Sequence, residues 1–140
     1  KEIEEKKFPD IKLEDIVDRN IYIWSLLSKS SNSEVIFFLP PFIDWCKSKT
    51  DYSNEEKEIA EYIEKNQAFE TVHHFDKISS QYNMIKSLFK NCCEKYEIKF
   101  YDCNEIFKQK ENVKKWLFVD KTHLTDFGNN QVSNYIITKI

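Results

Sequence analysis

Two short apolar runs limit the folds open to this chain more than any other feature of its sequence. The residues from Val35 to Leu39 and from Ile98 to Tyr101 are mostly β-branched, aromatic or leucine, a composition typical of strands buried on both faces. Roughly 60 residues of mainly helical pattern lie between them, and a parallel pair of strands needs a long crossover of this kind. The sequence therefore predicts an α/β fold with parallel strands. Pro40 and Pro41 should end the first strand, because proline cannot donate to a sheet.

Apolar residues at helical spacing predict four helices. The first should end before the polar cluster at residues 28–33, which is typical of a loop. Ser53 and Glu56 form a capping box that should begin the second. Thr125 is a natural N-cap for the last helix, and Asp126 is a favourable charge in its first turn. The helical apolar positions are Leu13, Ile16, Val17, Ile21, Trp24 and Leu27; Ile59, Tyr62 and Ile63; Tyr82, Ile85, Phe89, Cys92 and Tyr96; and Val132, Tyr135, Ile136 and Ile140.

Composition indicates one folded domain over residues 1–140. The chain is 41% hydrophobic and 15% aromatic, enough for a packed core. Its 21 basic and 24 acidic residues give a net charge of -3 and are mixed along the chain, which argues against a nucleic-acid partner. The longest apolar run, from Val35 to Ile43, is too short to span a membrane, so we expect no transmembrane segment.

The cysteines and histidines do not predict a metal site. The four cysteines lack the spacing of zinc ligands, and we expect them to be free thiols without chemistry. Two adjacent histidines would need further ligands to bind a metal, so a surface or helix-end pair is favoured. The residues concerned are Cys46, Cys92, Cys93, Cys103, His73 and His74.

The segment from Trp116 to Gln131 holds the candidate catalytic pair. Asp120 and His123 follow an apolar run and precede the last helix, and a turn of that length can bring the carboxylate to one imidazole nitrogen. The other nitrogen would then be able to act as a base. A structural turn-and-cap pair is the alternative. Gly128 is the only glycine in the sequence, which indicates a close backbone approach or a helix-to-sheet contact at that position.

The motif Asp120-x-x-His123-Leu-Thr-x-x-Gly128-Asn resembles the last sequence block of the SGNH, or GDSL-type, hydrolases. The run ending at Pro40 and Pro41 is similar to that family's fourth strand, and the run ending at Asp102 to its fifth. The resemblance implies the C-terminal portion of a flavodoxin-like, three-layer α/β/α domain. It does not extend to the family's Gly-Asp-Ser block or oxyanion-hole residues, so the nucleophile would lie upstream of Lys1.

The resemblance implies a serine esterase or O-acyltransferase that uses a Ser-His-Asp triad, with Asp120 and His123 as two of its members and O-acetyl groups on a glycan as the expected substrate. No cofactor is needed for this chemistry. The alternatives are a non-catalytic SGNH-like or flavodoxin-like module that binds a glycan or a protein, and a plain α/β fragment in which the pair makes no hydrogen bond. A cytoplasmic location and a location in the cell envelope are both compatible with the sequence.

Phe42 and Trp45 follow the first strand, at the edge where open α/β sheets bind ligands. They are candidates for a substrate-binding wall, and the alternative is that they cover the sheet end as part of the core. We expect the 140 residues alone to be inactive on esters. A small apolar sheet with open edges should associate with an upstream part of the polypeptide or with a second copy.

Overall fold

The computed structural model describes residues 12–66 and 76–140, which form a mixed α/β structure that is mostly helical. His73 and His74 lie outside the described residues. The elements are α1 (Leu13–Ser31), β1 (Ile36–Leu39), α2 (Ile43–Cys46), α3 (Asn54–Asn66), α4 (Tyr82–Lys95), β2 (Lys99–Asp102), α5 (Lys110–Val113) and α6 (Asp126–Ile137), with 3-10 helices at Lys49–Asp51 and Cys103–Lys108.

The two strands pair in parallel, which confirms the α/β prediction. β1 ends at Leu39, immediately before the two prolines, as expected. The strands are less buried than their apolar sequences suggest: Leu39 is the buried residue of β1, and Asp102 that of β2. The expectation of burial on both faces is therefore wrong for the described sheet, because the other described elements cover most of its side chains only in part.

Helix α1 continues about one turn beyond its predicted end. The hydroxyls of Ser30 and Ser31 donate to the Leu27 carbonyl oxygen at 3.0 and 2.7 Å. Asn32 then ends the helix in a left-handed conformation, with φ at 51°. The serines were expected to form a loop, but they belong to the last turn of the helix, where two of their hydroxyls bond to a carbonyl oxygen one turn back.

The chain divides into two compact units, and the first includes α1, the later part of α4 and the first two residues of both β1 and β2. Its core is formed by Val17, Ile21, Cys92, Cys93 and Ile98. Phe37 stacks on Phe89, with ring centroids 4.9 Å apart, and packs against this core.

The second unit contains α2, α3, α5, α6 and the candidate catalytic segment. Its core is formed by Ile43, Cys46, Tyr52, Phe107, Leu117 and Phe118. The Phe107 and Phe118 rings meet edge to face at 5.7 Å. Helix α6 ends at Ile137, so Ile140 does not extend its apolar face and is 82% exposed.

All four cysteines are free and buried, as expected of thiols that pack as small hydrophobes. Burial raises the pKa of both Cys93 and Cys103 to about 11, so these thiols are protonated at neutral pH. Among the helices of the described residues, none combines the length and hydrophobicity needed to cross a membrane.

Candidate active site

Asp120 organises the turn that carries His123. One carboxylate oxygen, Oδ1, accepts the backbone N–H groups of Thr122 and His123, each at 2.7 Å. The two arms of the turn are joined by a bond from the Val119 N–H to the His123 carbonyl oxygen, at 2.9 Å, and by an antiparallel bridge between Phe118 and Leu124. The turn is therefore fixed by the backbone hydrogen bond between its two arms and by the Asp120 carboxylate, which accepts two of its N–H groups.

The second carboxylate oxygen of Asp120 lies 2.6 Å from Nδ1 of His123. This contact confirms the predicted hydrogen bond and excludes the alternative in which the two side chains do not meet. Burial raises the pKa of Asp120, but the hydrogen bonds from the His123 and Thr122 N–H groups and the His123 ring outweigh it, so the pKa is lowered overall. An ionised carboxylate only accepts, so Nδ1 of His123 carries the shared proton.

The other ring nitrogen of His123 points away from this bond. The side chain is 76% exposed, and within the described part of the chain no hydrogen bond to Nε2 is present. A neutral imidazole that donates through Nδ1 has an accepting lone pair on Nε2. The pair therefore presents a proton acceptor to the surface, with its tautomer fixed by Asp120.

The segment before the turn is held by a buried ion pair. Glu56 and Lys47 are fully buried, and Lys47 Nζ lies 2.7 Å from Glu56 Oε2. The other oxygen of Glu56 accepts the N–H groups of Leu117 and Phe118 at 2.9 and 3.1 Å. Lys47 also donates to the Lys115 carbonyl oxygen at 2.6 Å. Both charges are compensated in the interior, and together they anchor the strand-like arm that leads to Asp120.

The predicted capping box is present, and its Glu56 is the residue that also accepts the N–H groups of Leu117 and Phe118. The Ser53 N–H donates to Glu56 Oε2 at 2.9 Å, and the Glu56 N–H donates to Ser53 Oγ at 3.2 Å. Helix α3 begins at Asn54, as the box requires. Glu56 thus joins the start of α3 to the segment that leads to Asp120, a role that no local sequence signal indicated.

A second ion pair joins the turn to the short helix α2, which follows β1. Lys121, the neighbour of Asp120, lies 2.8 Å from Asp44 Oδ2. Ser79 and Tyr52 also donate hydroxyl hydrogen bonds to the Asp44 carboxylate. Burial raises the pKa of Asp44, but the hydrogen bonds from Lys121, Tyr52 and Ser79 outweigh this effect, so the pKa is lowered overall. The Ile43 N–H donates to the Lys121 carbonyl oxygen at 3.0 Å, so side chain and backbone hold the same junction.

Phe42 is the N-cap residue of α2 and Trp45 lies within that helix, but the two side chains differ in exposure. Phe42 is 5% exposed, and its N–H donates to Oδ1 of the fully buried Asn104 at 3.0 Å. Trp45 is half-buried, and its indole N–H donates to the Ile78 carbonyl oxygen at 3.1 Å. Phe42 therefore occupies the interior, in agreement with the core alternative, whereas Trp45 keeps an accessible surface.

The last helix is fixed directly to the segment that leads to Asp120. Thr125 caps α6 by accepting the Gly128 N–H at 3.1 Å, which confirms its predicted role. The Thr125 N–H donates to the Leu117 carbonyl oxygen at 2.8 Å, and its hydroxyl bonds to the Trp116 carbonyl oxygen at 3.1 Å. His123 is thus held between a backbone-closed turn and a capped helix.

Among the described residues, no group of three or more histidine, cysteine or acidic side chains is arranged to hold a metal ion. In comparisons with known proteins, neither a protein-family model nor a curated protein sequence matches this chain.

Proposed function

We propose that His123 and Asp120 are the base and the orienting acid of a Ser-His-Asp triad in an SGNH-type serine esterase or O-acyltransferase. The nucleophilic serine is supplied from outside these 140 residues. The observation that carries this proposal is the 2.6 Å bond between Asp120 Oδ2 and His123 Nδ1 on a ring that is 76% exposed. A triad needs this combination, because one nitrogen must be oriented while the other meets the serine.

In this proposal the reaction proceeds in two acyl transfers. Nε2 of His123 takes the serine hydroxyl proton as the serine oxygen bonds to the ester carbonyl carbon, and Asp120 stabilises the imidazolium. The imidazolium then protonates the departing alcohol as the ester carbon–oxygen bond breaks. In the second transfer, His123 removes a proton from water or from an acceptor hydroxyl, which attacks the acyl-enzyme and releases the serine.

The proposed substrate class is an acyl ester, with O-acetyl groups on a glycan as the favoured case. Water as the final acceptor gives an esterase, and a sugar hydroxyl gives an acyltransferase, with the same two residues in the same roles. The proposed fold is the C-terminal portion of a flavodoxin-like, three-layer α/β/α domain. The parallel pairing of β1 with β2 and the short turn that carries Asp120 support it.

Labelling with a fluorophosphonate probe tests the proposal in the natural gene product that contains this chain. The probe reacts with serines whose proton is removed by an adjacent base. We expect labelling of the natural protein, strong reduction in His123→Ala, and unchanged labelling in Asn130→Ala, a control at an exposed position of α6. Equal labelling of both variants, or none of the natural protein, would contradict the proposal. The latter result would favour a non-catalytic binding module.

A further inference from the structure

The turn that carries His123 is attached to the rest of the fold at two levels. Its base, residues 116–119 and 124–125, is held by the Glu56 carboxylate and by the N-cap of α6. At its tip, residues 120–123, the hydrogen bonds of three members stay within the turn. Within the described ranges, 12–66 and 76–140, Lys121 is the member of the tip that bonds to another element.

Lys121 reaches helix α2 with both its side chain and its backbone. Its Nζ lies 2.8 Å from Asp44 Oδ2, and the two side chains are only 12% and 14% exposed. The Lys121 carbonyl oxygen accepts the Ile43 N–H at 3.0 Å, and Ile43 belongs to the core of this unit. Charges that are largely withdrawn from water attract each other more strongly than charges on an open surface. The tip is therefore fastened by one residue to a helix of the core.

The Asp44 carboxylate is oriented by other groups as well. The Ser79 hydroxyl donates to Oδ2 at 2.7 Å, and the Tyr52 hydroxyl donates to Oδ1. Helix α2 is itself fixed at its start, where the Phe42 N–H donates to the buried Asn104 at 3.0 Å. The acceptor that Lys121 meets thus has a place set by neighbours outside the turn.

We propose that Lys121 is a positioning residue for His123, and that its ion pair with Asp44 sets where the tip of the turn lies. This inference rests on the proposed triad. Asp120 orients the imidazole relative to the turn, whereas Lys121 fixes the tip relative to the core. A base must lie within about 3 Å of the proton that it removes, and a displacement of about 1 Å can cost about 100-fold in rate. Lys121 acts through the turn, because its ammonium is engaged by Asp44.

Replacement of Lys121 in the natural gene product that contains this chain tests the effect on turnover. Lys121→Met keeps an unbranched side chain and removes the cation, so kcat on an aryl acetate should fall by about 10- to 100-fold. KM should stay within about twofold, because Lys121 contacts no substrate. Lys121→Arg should recover part of the loss, since a guanidinium can also pair with Asp44. Lys49→Met, which removes the exposed partner of Glu64, should leave kcat unchanged.

Amide hydrogen exchange in the same proteins separates release of the tip from a general loss of stability. The Ile43 N–H, bonded to Lys121, reports on the tip, and the Thr125 N–H, bonded to the Leu117 carbonyl oxygen, reports on the base. In Lys121→Met, the Ile43 amide should exchange at least about 10-fold faster, and the Thr125 amide should not change. If that variant fails to fold, Asp44→Asn combined with Lys121→Met leaves no unpaired charge and should give the same result.

The two measurements have distinct failures. Equal acceleration at the Ile43 and Thr125 amides, or at neither, would overturn the anchoring of the tip by Lys121. Faster exchange at Ile43 with an unchanged kcat would overturn the positioning role and leave the proposed reaction intact. An inactive natural protein would refute the proposed reaction instead, and the exchange rates alone would then decide whether Lys121 anchors the turn.

Discussion

Gly128 lies so close to Leu117 that a Cβ atom on the glycine would stand 2.5 Å from the Leu117 carbonyl oxygen. Two atoms of Leu124 would also lie within 3.2 Å of that Cβ. The only glycine of the sequence therefore allows the first turn of α6 to approach the segment that leads to Asp120. The close backbone approach predicted for Gly128 is confirmed.

Gly128→Ala should destabilise the protein although alanine favours helices. Helix propensity alone would stabilise the variant by about 1 kcal/mol. The Leu117 carbonyl oxygen is backbone and bonded to Thr125, so it cannot move aside without cost. Overpacking of this kind costs about 1–3 kcal/mol, and after the gain in helix propensity we expect a net loss of up to about 2 kcal/mol in urea unfolding. Asn130→Ala, exposed on the same helix, should be neutral or slightly stabilising. A stabilised Gly128→Ala variant would refute the close approach.

Lys47→Met should cost far more stability than Lys49→Met. Both lysines pair with a glutamate, at 2.7 and 2.9 Å, but the Lys47 pair is fully buried whereas the Lys49 side chain is 70% exposed. Loss of Lys47 leaves the buried Glu56 charge without its cation, which costs about 3–5 kcal/mol. Loss of Lys49 should change the free energy of unfolding by less than about 1 kcal/mol. Similar urea midpoints for the two variants would show that the buried pair does not stabilise this region.

Acid should remove the stability that Asp44 contributes. The pKa of Asp44 is lowered in the folded state. Its contribution to the free energy of unfolding is therefore complete above the pKa of an unfolded aspartate, about 3.9, and is lost as the pH falls through the lower pKa of the folded state. Asp44→Asn should be less stable than the natural chain at pH 7, and the difference should shrink below about pH 4. Urea unfolding of both proteins from neutral to strongly acidic pH measures this. A difference that stays constant across the range would rule out the ionised Asp44 carboxylate as the source.

Local signals in the sequence were sufficient for the turn and its helix. The spacing of Asp120 and His123, the Thr125 cap and the Ser53–Glu56 capping box each involve residues within three or four positions, and the structure contains all of them. Such contacts depend on backbone geometry over one turn, which neighbouring residue types largely determine.

Contacts between distant residues could not be predicted in the same way. Nothing in the sequence near Glu56 indicates that it accepts the N–H groups of Leu117 and Phe118, or that Lys47 is buried beside it. The pairing of Asp44 with Lys121 is equally non-local. Helical spacing also identified the apolar residues of α1 without showing which would be buried. Only Val17 and Ile21 of that set are, because burial depends on what the rest of the fold places beside each face.

The most direct measurement of the catalytic role is kcat/KM for an aryl acetate in the natural gene product that contains this chain. His123→Ala should lose at least about 1,000-fold, because removal of a triad base leaves only binding and transition-state hydrogen bonding. The variant should keep its fold, since the His123 side chain is 76% exposed. Asn130→Ala should retain natural activity. Loss of activity in His123→Ala alone is the expected result, and unchanged turnover in that variant would contradict the assignment of Asp120 and His123 to a catalytic triad.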